Sequence, residues 1–180
     1  MNFLAGYFKQ FGDWYWAAHR FYRGHASKPI LISDIGMKKM IYRLSVECLE
    51  GWHYDHETIR IIDIDEKAQL FDLFDIIREA NGFGFEHAHM FYIGRTPRNK
   101  KIIFGDKEEF YGYECRPYNS SLNSIYPLGN LKFYFLYDFG DKWIFQIKKS
   151  RKRMEAKSNI EYPIIVKKIG ENPEFHLYHE

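Results

Sequence analysis

The stretch Tyr137-Asp138-Phe139-Gly140-Asp141-Lys142-Trp143 constrains this chain more than any other. It joins two runs with strand composition, Leu131 to Tyr137 and Trp143 to Ile147, so it reads as the turn of a β-hairpin. Gly140 is expected to take a positive φ, and Asp138 to accept a backbone N–H within the turn. Tyr137 and Trp143 would then face each other across the two strands. Together with Phe139, Asp141 and the upstream strand residue Phe91, these positions are expected to form a structural motif. The triplet Asp138-Phe139-Gly140 also matches the magnesium-binding motif of protein kinases. That motif works only beside a glycine-rich loop, a strand lysine and a catalytic loop, none of which this sequence contains.

Other segments fall into place around the hairpin. Tyr42, Leu44, Val46 and Cys48 alternate with Arg43, Ser45 and Glu47, the period of a half-buried strand starting near Met40. A second strand is expected from Thr58 to Ile64, where β-branched residues dominate. Asp65 is placed to cap a helix, Leu70, Leu73, Phe74 and Ile77 hold its apolar spacing, and Asn81-Gly82 supplies a left-handed stop. Met90 to Gly94 and Lys101 to Phe104 read as strands joined through Pro97-Arg98-Asn99-Lys100. Residues 105–120 look irregular, Ser120 or Ser121 is placed to cap a short helical turn ending near Tyr126, and Tyr162 to Val166 offers one more strand.

Residues 1–24 have a different character. Phe3, Tyr7, Phe11, Trp14, Ala18 and Phe21 keep helical spacing, widened by Leu4, Phe8, Tyr15 and Tyr22. An amphipathic aromatic helix of this kind can pack on the body of the protein, on a second copy to give a homo-oligomer, or on a membrane surface. The membrane reading is the weakest, because Lys9, Arg20 and Arg23 are the only strong cations available to its polar face. No apolar run approaches the ~20 residues needed to cross a bilayer. The start lacks a basic residue followed by an aliphatic core, so no signal peptide is expected and a cytoplasmic location is. Cys48 and Cys115 have neither CxxC nor metal spacing and read as reduced thiols.

Chemistry enters at three places. His87 and His89, two apart, would share one face of a strand and could chelate a metal with Asp138, Asp141 or Glu86 as further ligands. The plainer reading buries one of the two histidines in a hydrogen bond and leaves the other exposed. Lys148, Lys149, Arg151, Lys152 and Arg153 form the densest basic run, followed by Lys157 and Lys167-Lys168. Such a run can neutralise nucleic-acid phosphates, or it can be a solvated strand end that discourages edge pairing. A net charge of +2 is too mild to decide. His53, His56, His176 and His179 read as solvated loop and tail residues. No P-loop, dinucleotide, nucleophile-elbow, zincin or EF-hand pattern occurs, and no nucleophile–base pair offers itself for catalysis.

In order, the Tyr42-Arg43-Leu44 strand start, the Ile59-to-Ile64 run leading to a helix, His87-Ala88-His89-Met90-Phe91, the Leu122-containing turn and the Tyr-Asp-Phe-Gly-Asp-x-Trp hairpin resemble one known family. It is the plasmid pRiA ORF-three-like family, a group also carrying a transposon-passenger TnpR label. The likeness spans roughly residues 40–175 and implies an α+β domain whose biochemical role is unestablished. Many relatives have a histidine two positions after the hairpin tryptophan, where this chain has Phe145, and cysteines in a proline-rich tail, where it has Tyr162-Pro163-Ile164-Ile165-Val166. A metal site depending on those positions would be missing.

The expected architecture is therefore α+β. A mostly antiparallel sheet carries one main helix packed across it in a β-grasp-like order, preceded by the N-terminal aromatic amphipathic helix. Residues 1–39 would form the helical extension and connector, and residues 40–180 the family domain. The expected function is that of a non-enzymatic interaction module tied to mobile elements or nucleic acid, with no cofactor. The alternative is a metal-dependent enzyme using His87, His89 and a hairpin aspartate.

Overall fold

A computed structural model describes residues 38–52, 54–84 and 87–173. The chain divides into two units, 1–37 and 38–180, and every described residue belongs to the second. The expected aromatic helix and its connector fall outside the described residues, as do His53, Glu86, His176 and His179.

Among the described residues, nine strands form one sheet. They are β1 (Met40–Glu50), β2 (Ile59–Asp65), β3 (His89–Gly94), β4 (Lys100–Phe104), β5 (Glu114–Arg116), β6 (Lys132–Tyr137), β7 (Trp143–Lys149), β8 (Met154–Glu155) and β9 (Ile164–Ile169). Eight follow the order β5-β4-β3-β6-β7-β1-β2-β9, and β8 pairs with the start of β1. All pairings are antiparallel except β4 with β5. Two short helices accompany the sheet among the described residues, α1 (Leu70–Asn81) and α2 (Leu122–Ile125).

This corrects the expected α+β, β-grasp-like architecture: the described fold is mostly β, and no main helix packs across the sheet. Size is the physical reason. Eight strands about 4.8 Å apart make a sheet roughly 34 Å wide, whereas the 12 residues of α1 extend only about 18 Å. The closest backbone neighbours of α1 are β2 and β9, at one end of the sheet. Two of the extra strands, β5 and β8, come from segments that carry no strand periodicity. They form because a neighbour presents an open ladder.

The start of α1 also differs from expectation. Gln69, not Asp65, is the N-cap, and its N–H donates to Asp72 Oδ2 at 2.8 Å. Asp65 closes the preceding turn instead, accepting the Lys67 N–H at 2.8 Å. The stop is where the sequence puts it. Gly82 sits at φ 71°, and the Phe83 N–H returns to the Arg78 carbonyl at 3.0 Å.

Period-two alternation sends residues to both faces of the sheet. One face carries the main core: Leu44, Val46, Ile62, Phe91, Phe133, Phe135, Tyr137 and Phe145, joined by Leu70, Leu73, Phe74 and Ile77 of α1 and by Leu122 and Ile125 of α2. The other face carries a smaller cluster of Met90, Tyr92, Ile103, Tyr134, Leu136 and Ile144, flanked by Leu49, Phe110 and Phe139. The β3–β4 turn reaches that cluster, with the Tyr92 hydroxyl donating to the Pro97 carbonyl at 2.6 Å.

Candidate functional site

The β6–β7 hairpin pairs Tyr137 directly with Trp143 and Phe135 with Phe145. Its turn is closed by the Lys142 N–H donating to the Asp138 carbonyl at 2.7 Å. Asp138 Oδ1 accepts the Gly140 N–H at 2.8 Å and, more weakly, the Asp141 N–H at 3.4 Å. The positive φ expected at Gly140 falls instead on Asp138 (55°) and Lys142 (54°). An aspartate tolerates the left-handed region better than most side chains, because its carboxylate bonds the local backbone. Gly51 answers a different demand. The β1–β2 loop crosses the buried Trp143 so closely that a Cβ there would lie inside the indole.

The two histidines enter beside this turn. Phe83, just past the cap of α1, stacks on Tyr137 with centroids 4.4 Å apart and planes 11° apart. His87 meets Tyr137 edge-on at 5.7 Å and places Nδ1 3.2 Å from Asp138 Oδ2. His89, at the start of β3, has both ring nitrogens and one ring face engaged. Its ring stacks on Phe74 at 3.9 Å, Nδ1 lies 3.1 Å from the His87 carbonyl, and Nε2 lies 2.7 Å from the Tyr118 hydroxyl. A carbonyl can only accept, so Nδ1 carries the proton and Nε2 accepts from Tyr118.

The metal candidates are thus brought together only in part. His87 reaches Asp138, while His89 is turned to Tyr118. Asp141 shares the turn but is 7% exposed. Among the described residues, no three His, Cys, Asp or Glu side chains are grouped to hold a metal ion.

The basic run is divided by the alternation of β7. Lys148 pairs with Glu47, Arg153 Nη2 reaches Glu66 Oε2 at 3.0 Å, and the Lys149 ammonium lies over the Tyr42 and Tyr126 rings at 4.7 and 5.4 Å. Arg151 and Lys152 are exposed, with no side-chain partner among the described residues. Phe91 sits at the centre of the core, 4.7 Å from Phe135. Both cysteines are free, and burial pushes the Cys48 thiol up to about 12, far from the range of a reactive thiolate.

Sequence reasoning missed Arg60. It is fully buried in β2, where it binds only oxygens: the Ala80 carbonyl at the end of α1 (2.9 Å), the Ile169 (2.8 Å) and Glu171 (2.8 Å) carbonyls, and Asn172 Oδ1 (2.9 Å). Burial lowers its pKa from the ordinary arginine value. The one available signal was a lone cation inside the β-branched run 58–64.

The profile of the plasmid pRiA4b ORF-3-like family matches residues 40–174. The chain belongs to this family. Among solved structures, the chain is similar to a protein of unknown function, MM3350, from Methanosarcina mazei Go1. That similarity has a TM-score of 0.59 at 20% identity and covers 76% of this chain and 73% of the other, a likeness of fold alone. No curated protein matches the chain. Among the described residues, no helix is long and apolar enough to cross a membrane.

Proposed function

We propose that this member of the plasmid pRiA4b ORF-3-like family is a non-enzymatic interaction module that contacts nucleic acid through the cations at the end of β7 and on β9. One observation carries the non-enzymatic part: His89, which the metal reading needs as a ligand, has both ring nitrogens and one ring face already engaged within the protein. Unspent charge lies elsewhere. Arg151, Lys152, Lys157, Lys167 and Lys168 are all exposed, and β9 forms one end of the sheet. Contact through such residues is electrostatic. The stacked tyrosines Tyr92 and Tyr134 are buried in the smaller cluster and offer no platform for bases.

The test is retention of the full chain on heparin and on mixed-sequence DNA across a salt series. Retention at low salt is expected. The double substitution R151A/K152A should reduce the slope of log K against log salt by about 1–2, as two phosphate contacts are lost. No retention at low salt would overturn the nucleic-acid reading.

A second reading has one observation in its favour. A carboxylate bonded to one nitrogen of an imidazole, as Asp138 is to His87, is the arrangement that orients metal-binding histidines. The reading is metal-dependent chemistry with His87, His89 and Asp138 or Asp141, and it requires His89 to leave Tyr118. A melting temperature that zinc or manganese does not change would end it.

A further inference from the structure

The charge left over at the two ends of the sheet has opposite sign. At the β5 end, the loop from β4 carries the exposed carboxylates Asp106, Glu108 and Glu109 against the single cation Lys107, and it leads into the exposed Glu114. Glu114 reaches Arg116 at 3.5 Å, whereas Glu108 and Glu109 have no ion-pair partner among the described residues. At the other end, Lys167 and Lys168 of β9 are exposed and likewise without an ion-pair partner among the described residues.

Each end also exposes apolar surface beside its charge. Among the described residues the exposed large hydrophobics are Trp52, Tyr111, Tyr113 and Val166, and the last three stand at these two ends. Tyr111 is 94% exposed and Tyr113 45%, both in the acidic loop, and Val166 is 42% exposed next to Lys167. The local backbone holds them outward. The Tyr113 N–H donates to the Phe110 carbonyl at 3.1 Å and Gly112 takes a φ of 89°, which puts Tyr111 at the tip of a closed turn. Phe110 anchors that turn by packing against the smaller cluster. In β9, Lys167 pairs with Ile61 and Ile165 with Ile62, so Val166 drops out of the ladder as a bulge.

We infer that copies of this chain associate head to tail, the acidic β4–β5 loop of one copy seated on the β9 edge of the next. The charges choose the occupant. Two copies meeting through the same end would oppose Lys167 and Lys168 to themselves, or Glu108 and Glu109 to themselves, whereas unlike ends attract. Exposed ion pairs contribute little alone, so contact between the tyrosines and Val166 supplies the anchor and the charges supply the register. A contact between unlike surfaces leaves a free end on each side, so it builds a chain or a ring rather than a closed pair. The inference goes beyond nucleic-acid contact and does not rest on it.

Sedimentation equilibrium of the full chain, free of nucleic acid, reads the association. At low salt the weight-average mass should rise with concentration past that of two chains, and high salt should return it towards one. Charge reversal at either end, E108K/E109K or K167E/K168E, should weaken association at least tenfold. Mixed in equal amounts, the two variants should recover it, because each end then meets its opposite charge on the other variant. Tyr111→Ala should weaken association with the melting temperature unchanged, since its side chain lies outside the core. A mass that stays at one chain, a plateau at two chains, or association unchanged by both reversals overturns the inference. A mixture that associates no more strongly than the separate variants overturns the pairing of unlike ends.

Discussion

Asp138 shows how much one side chain can do in a turn. It holds a left-handed φ of 55°, its Oδ1 accepts the Gly140 N–H, and its Oδ2 faces His87. Asparagine keeps the amide-oxygen acceptor and tolerates the left-handed region, so Asp138→Asn should cost less than about 1 kcal/mol. Asp138→Ala loses the acceptor and places a Cβ without compensation at positive φ, for a cost of about 1–3 kcal/mol. Urea unfolding of the two variants tests the order, and equal costs would show that the turn bond contributes nothing. The sequence pattern located this turn and its Tyr137–Trp143 pair, but it assigned the strained φ to the glycine. Composition marks where a turn lies. Which residue bends depends on the ladder register on either side, and that is set by pairing.

Among the elements, legibility tracked local periodicity. The core-facing positions of α1, the Gly82 stop and the strands β1, β3, β4, β6 and β7 all carry a repeating apolar pattern, and each formed near its expected bounds. Segments β5 and β8 are three and two residues long, too short for any period to show. Arg60 was equally hidden, because nothing local says that a strand residue will meet the end of a helix 20 positions later and a tail more than 100 positions later. It ties β2, α1 and the segment after β9 together through the negative end of the helix and a set of carbonyls. Arg60→Ala strips charged donors from buried acceptors, for a loss of about 3–5 kcal/mol. Arg60→Lys should recover little, since a point ammonium cannot span acceptors on both Ala80 and Glu171. Hydrogen exchange gives the specific readout. Protection across Ile164–Ile169 should fall in Arg60→Ala by more than the global loss of stability, and an unchanged β9 would mean that the clamp is redundant.

For the molecule as a whole, the question is whether a sheet this wide unfolds as one unit. Cys48 lies in the main core on β1, and Cys115 is partly exposed on β5, at the opposite end from β9. With burial holding the Cys48 thiol near 12, its thiolate fraction at pH 8 is roughly one in ten thousand, so it reacts only when the core opens. In native buffer a thiol reagent should therefore consume one equivalent quickly, at Cys115, and the second at the rate of opening. In denaturant both should react at once. Fast native reaction of two thiols would show that the β1 region opens locally. Arg60 makes the experiment sharper. If the end of the sheet that it clamps belongs to the same cooperative unit as the core, Arg60→Ala should speed the Cys48 reaction by the factor that its stability loss predicts. Should Cys48 keep its wild-type rate while β9 loses protection, the sheet is divided into units, and the boundary falls between β9 and β1.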